Sequence, residues 1–287
     1  MDRNKITGEF VMRFTKMQGA GNDFIIINNI DGQIDRTAYS RIAATLCPRH
    51  TSVGADGLMV IEPAEQGGDF GMMFYNADGM QGEMCGNGAR CIAKYGFENG
   101  LAGGEMTIET TAGLVKAWRI SPSEYRLRLN DVTVLQDGLK LEALGKTYTC
   151  TYVELGNPGL PHLVVEMPGL RDMAKKDLFN LGLALRSHPT LPKGANVNFY
   201  DLTGEDRIFE RTFERGVEDF TYACGTGTGS VVSVLTLQGK VSGRNVEVSM
   251  EGGILHIDIV REGDTIEDIY LTGPAITVYE AETGEVW

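Results

Sequence analysis

The segments MCGNGARCIAKY (residues 84–95) and ACGTGTGSVVSV (residues 223–234) each set a cysteine before Gly-x-Gly and run on with helical character. They stand about half a chain apart. A second echo accompanies the first, since Gly21-Asn22 and Gly156-Asn157 each precede their Cys-Gly-x-Gly by a similar interval. Two short motifs repeated in one order at nearly one offset mark two related halves. The expected boundaries are residues 1–129 and 130–274, with a last strand at about 275–287 returning to the first half.

Around these motifs the pattern is mostly that of short strands. RFTKMQ, DFIIIN, GLMVIE, FGMMFYN and MTIETTAG in the first half are matched by TYTCTYVEL, HLVVEM, ANVNFYDL, DRIFERTFERG and NVEVSM in the second. Helices are expected near 37–47, 87–98, 171–187 and 226–238. The last has almost no polar face, because Val231, Val232, Val234, Leu235 and Leu237 surround it, so it should be buried on all sides. Gly239 suits its C-terminal end. The predicted class is α+β: two pseudo-symmetric domains, each a curled, barrel-like mixed or antiparallel sheet around a central helix.

The chain has 287 residues, 42% of them apolar, and a formal charge of −13. Such an acidic surface argues against nucleic acid or an anionic membrane as partner. No apolar run reaches the roughly 18 residues of a spanning helix. MDRNKITGEFVMRF lacks a signal-peptide core, so a cytoplasmic protein is expected, with residues 1 to about 11 as a poorly ordered extension. Five scattered cysteines do not make a disulfide framework, and no Cys-x-x-Cys or paired histidine supports a metal site.

A cysteine at a helix N-terminus sits by unsatisfied N–H groups and a partial positive charge, which favour a thiolate and can hold a carboxylate. That reasoning predicts a Cys224 pKa lowered toward neutrality. Neighbouring glycines allow close approach to the backbone. A single Cys-Gly-x-Gly would more simply be a packed cysteine at a turn, but its duplication favours chemistry. Two such sulfurs facing one carbon could move a proton from one face to the other. Cys91, Cys150 and Cys47 read as packing residues.

The chain resembles the diaminopimelate epimerase family from about Met12 onward, through FTKMQGAGNDFIIIN, SVGADGL, FYNADG, EMCGNGARC, GNP, GANVNF, ERGVED, ACGTG and LTGPA. The resemblance implies an epimerase without a cofactor or metal, in which Cys85 and Cys224 exchange acid and base roles. It implies that N–H groups at Gly86, Asn87, Gly225 and Thr226 hold the α-carboxylate, and that Asn22, Asn76, Asn157, Asn196 and Arg215 bind substrate with Glu214 beside them. The partner is then a small amino acid, with a homodimer as the candidate assembly. The chain departs from the family at GNPGLPH: Gly159 stands where Gly-Asn-Pro-His has histidine, and His162, a candidate auxiliary residue, follows three positions later. Gly57 also stands where some members carry a glutamine. These departures touch recognition of the substrate's side chain, so a racemase of histidine, a lanthionine-like or a proline-like amino acid is the alternative. A non-catalytic amino-acid-binding or redox-sensing protein is a more distant one.

Overall fold

The computed structural model describes residues 12–82 and 85–283. The expected N-terminal extension and the end of the returning strand lie outside the described residues. The chain divides into two compact units, one running to Ser123 and resuming at Ala275, the other Glu124–Pro274.

In the first unit the chain forms β1 (Met12–Gly19), β2 (Asn22–Asn28), α1 (Tyr39–Leu46), β3 (Gly57–Glu62), β4 (Phe70–Asn76), β5 (Gln81–Gly82), α2 (Gly86–Glu98), β6 (Glu105–Thr110) and β7 (Gly113–Arg119). The second unit holds β8 (Glu124–Arg128), β9 (Val132–Ala143), β10 (Lys146–Leu155), β11 (Leu160–Glu166), α3 (Lys175–Arg186), β12 (Asn196–Gly204), β13 (Arg207–Glu214), β14 (Asp219–Phe220), α4 (Gly225–Leu237), β15 (Val246–Met250), β16 (Gly253–Glu262) and β17 (Thr265–Pro274). β18 (Ile276–Thr283) returns to the first unit and pairs antiparallel with β1.

Strand pairing repeats between the units. The first follows the order β18-β1-β2-β3-β4-β6-β7, in which β2–β3 and β4–β6 are parallel and the other pairs antiparallel. In the second, β9-β10-β11-β12-β13-β15-β16 runs through the same sequence of directions before β17 and β8 extend it. The two-residue strands β5 and β14 occupy equivalent places on β4 and β13. The echo in the sequence is therefore an echo in topology.

Each sheet curls because strands from both ends of its order touch the same helix. α2 packs on β18, β1, β2 and β3 and also on β7; α4 packs on β10, β11 and β12 and also on β16 and β17. α4 is buried from Gly227 to Thr236, as its lack of a polar face requires. Full burial of Val231, Val232 and Leu235 stabilises by about 1.5–3 kcal/mol each. The helix ends where Gly239 takes a left-handed conformation, φ 68°. On the opposite face of the second sheet, α3 sets Leu178, Leu181 and Leu185 against Phe209 and Phe213. The corresponding cluster of the first unit gathers Ile25, Ile27, Leu58 and Val60 under Tyr39, Ile42 and Leu46 of α1. None of the described helices is long and apolar enough to cross a membrane.

Candidate functional site

Cys85 and Cys224 occupy the same structural position in their units. Each is the residue capping its helix, with extended backbone (φ −120°, ψ 118° and φ −125°, ψ 106°), and neither is joined in a disulfide. The sequence places glycine at the first and third helical positions behind both.

In the first unit, Asn22 at the start of β2 accepts a hydrogen bond from the Asn87 amide and donates to Asp56 at 3.0 Å. Asn87, in the first turn of α2, is thereby tied to the end of the sheet. Asn76 closes β4 at that same end, since Gly57 pairs with both Phe24 and Asn76. Gly57 is closed to longer side chains, because a Cβ there would lie 2.6 Å from the Phe74 ring and from the Tyr75 carbonyl oxygen. Beneath this turn lies a residue not singled out from the sequence. Arg90 is fully buried and donates to Asn87 Oδ1 at 2.9 Å and to the Gly86 carbonyl at 3.5 Å. Burial pulls its pKa down to about 10, opposed by the sulfurs of Cys91 and Cys85, so it remains a cation at neutral pH. Its signal was a long cation among the small residues of GNGARCIA. Cys91 is buried, and burial pushes its thiol up to about 12, in keeping with a packing role.

In the second unit, Thr226 Oγ1 lies 3.7 Å from the Cys224 sulfur. Asn196 opens β12 and accepts the Arg215 backbone N–H at 2.8 Å; the Arg215 guanidinium donates to the Lys193 carbonyl at 2.8 Å. Glu214 ends β13 and accepts from Thr221 Oγ1 at 2.8 Å. Asn157 is exposed in the turn between β10 and β11 and is not held by the residues above. His162 lies within β11, in register with Val153 and Asn196, and is fully buried. Burial, then the Arg215 charge, depress its pKa to about 3. It is a neutral ring whose Nδ1 lies 3.3 Å from Asn198 Nδ2.

A buried polar chain continues from there. Thr212 donates to Asn198 Oδ1 at 3.0 Å and lies 3.2 Å from Glu210 Oε1, while Thr228 donates to the Cys224 carbonyl at 2.9 Å. Glu210 is fully buried, and burial raises its pKa to about 8 despite the Thr228 and Thr212 hydroxyls. The expected lowering of the Cys224 pKa is not what the structure holds. Burial pushes that thiol up, and the Glu214 and Glu210 carboxylates add to the effect; the Gly227 N–H and Thr226 hydroxyl oppose them without prevailing. A helix N-terminus is the weaker influence on a sulfur so shielded from water.

The diaminopimelate epimerase family profile matches residues 14–124 and 155–278. The chain belongs to this family. It is 36% identical to the diaminopimelate epimerase of Aquifex aeolicus (strain VF5), over 96% of this chain and 98% of that one. It is 33% identical to the diaminopimelate epimerase of Archaeoglobus fulgidus, over 93% and 94%. Among solved structures, a phenazine biosynthesis protein of the PhzF family from Bacillus anthracis has a TM-score of 0.73 at 14% identity, covering 95% of this chain and 99% of that one. A probable proline racemase from Agrobacterium radiobacter K84 has a TM-score of 0.70 at 17% identity, covering 95% and 92%. At such identities these two share the fold.

Proposed function

We propose that this protein is a cofactor-independent amino-acid epimerase that inverts one α-carbon of LL-diaminopimelate to give the meso isomer, a step toward lysine and peptidoglycan precursors. The observation that carries this reading is the duplicated cap: two cysteines with one backbone geometry at two helix N-termini that each begin Gly-x-Gly, in a chain of this family. The two units act as its two epimerase halves, divided at Ser123/Glu124 and not at the expected 129/130, because β8 pairs with β17 of the second unit. The protein works in the cytoplasm, as a homodimer.

Chemically, one cysteine as thiolate removes the α-proton, and the electron pair passes into the α-carboxylate. The other cysteine as thiol delivers a proton to the opposite face, so the reaction ends with thiol and thiolate exchanged. Cys224, held as a thiol by burial and the nearby Glu214 carboxylate, suits the donor role in one direction, with Cys85 as base. The carboxylate is received by N–H groups at Gly86, Asn87, Gly225 and Thr226, which stabilise the extra charge without reorganising. Asn22, Asn76, Asn157, Asn196, Glu214 and Arg215 bind the rest of the substrate; Arg215 can grip the distal carboxylate through two parallel bonds.

The test is exchange of the α-proton into D₂O under reducing conditions, followed by NMR with a panel of amino acids. Wild type is expected to exchange diaminopimelate, and Cys85→Ala and Cys224→Ala to lose about 10³-fold in rate while staying folded. Exchange of a monocarboxylic amino acid in place of diaminopimelate would reassign the substrate. No exchange on any of them by folded wild type would refute the epimerase reading.

A further inference from the structure

The position five residues after each capping cysteine is filled in opposite ways. In the first unit it is Arg90. Its side chain turns back along α2, as long helical side chains do, and brings the guanidinium to the Gly86 carbonyl at 3.5 Å and to Asn87 Oδ1 at 2.9 Å. A full charge therefore lies buried against the turn that starts at Cys85. In the second unit it is Gly229, where a Cβ would lie 2.7 Å from Leu129 Cδ1 and 3.3 Å from Ile269 Cγ2. Aliphatic carbon takes the place that the guanidinium has in the first unit. Beyond burial, the charge that acts on Cys224 at neutral pH is the Glu214 carboxylate, since Glu210 keeps its proton up to about 8.

Against burial, the sulfurs of Cys91 and Cys85 keep Arg90 charged, and by the same attraction the guanidinium favours a negative sulfur. Cys91 is buried and pushed up to about 12, so it stays a thiol, whereas Cys85 is half-buried. Charges on the elements packed against α2 are engaged elsewhere. Lys16 of β1 pairs with Asp23 of β2, Glu62 of β3 with Arg36, and Asp56 with Arg49. On β18, Glu282 pairs with Arg13 and Glu280 acts on Tyr95; Arg119 of β7 lies over the Phe97 ring. Lys94, farther along α2, pairs with Glu98.

We propose that Arg90 is a positioning residue for the epimerase reaction: its charge keeps the resting negative charge of the cysteine pair on Cys85 and leaves Cys224 as the thiol. The inference rests on the reading of the protein as a two-cysteine epimerase. A thiolate on Cys85 in turn offsets part of the cost of burying the guanidinium. Substrate then meets its base in the first unit and its acid in the second.

Alkylation by iodoacetamide, read by mass spectrometry of the separate Cys85 and Cys224 peptides across pH, follows each thiolate without substrate. In wild type the Cys85 profile is expected to rise at lower pH than that of Cys224. Arg90→Gln can still donate to Asn87 but carries no charge. It is expected to move the Cys85 profile up by about 1 pH unit or more and to leave that of Cys224 in place. Arg90→Lys, which keeps the charge, should move it less. An unmoved Cys85 profile in folded Arg90→Gln overturns the proposal, as do equal shifts in the two variants. In the D₂O exchange assay the deficit of Arg90→Gln in kcat/KM is expected to shrink as pH rises, and an equal deficit at every pH overturns the role in the reaction. If Arg90→Gln does not fold, wild type and Arg90→Lys decide: Cys85 profiles below that of Cys224 support the proposal, and profiles at or above it overturn it. If wild type exchanges no amino acid, the epimerase reading has failed, and the alkylation profiles still judge whether Arg90 charges Cys85.

Discussion

Glu210 and His162 are fully buried and linked through Thr212 and Asn198, yet neither is charged at neutral pH. An amide and a hydroxyl stand between them, so no ion pair offsets the loss of hydration. Their effects on stability run in opposite directions. Folded Glu210 keeps its proton up to about 8, whereas the unfolded carboxyl releases it near its ordinary value of 4.5. The folded state therefore binds the extra proton in that window, and its contribution to stability falls as pH rises through it, levelling off above. Folded His162 stays neutral down to about 3 while the unfolded ring protonates below 6.5, so its contribution is lost as pH falls across that range. Glu210→Gln keeps the shape and removes the first effect. Denaturant titrations should show the variant gaining on wild type between pH 5 and pH 8 by an amount on the order of a few kcal/mol. The same difference at both pH values would refute a protonated Glu210.

At the scale of elements, α2 and α4 begin alike, but their third helical residues have unlike neighbours. A Cβ on Gly88 would meet the Met59 methyl carbon at 1.7 Å, the free end of a flexible chain; a Cβ on Gly227 would meet Asn198 Oδ1 at 2.2 Å. That amide is held by Thr212 and faces His162, so it cannot give way without breaking the buried chain. Gly227→Ala is expected to cost about 1–3 kcal/mol in urea denaturation. Gly88→Ala should cost less, because methionine repacks and alanine favours the helix by roughly 1 kcal/mol. The reverse ranking would contradict this account. The cysteines, the glycines and both helices were legible in the sequence because they are local and repeated. Their partners were not. In DRIFERTFERG the alternating charges suggest a solvent face, but α3 covers Phe209 and Phe213 while Glu210 and Thr212 lie on the side of Asn198 and Thr228. Burial on both sides of a strand depends on which helices cross it, and nothing local to the strand records that. The thiol state of Cys224 escaped for the same reason, since it follows from enclosure and from the Glu214 carboxylate at the end of β13.

For the molecule as a whole, the units differ in how the chain completes them. The second is one continuous stretch, Glu124–Pro274, with its own core from Leu141 to Phe220. The first needs β18, whose register along β1 runs from Met12↔Thr283 to Gln18↔Ile276. β18 contributes little to the core, since Ile276, Val278 and Tyr279 are exposed, although Tyr279 meets Phe14 edge-on at 6.1 Å. Its main role is to occupy the edge of β1, where an unpaired strand would invite intermolecular pairing. A chain ending at Pro274 should therefore lose amide-exchange protection in β1 and β2 and aggregate more readily, while β10 to β13 keep their protection. The isolated stretch 124–274 should melt cooperatively by itself. Uniform loss of protection across both units in the truncated chain would mean that the two fold as a single cooperative body, and the independence argued from their separate cores would have to be abandoned.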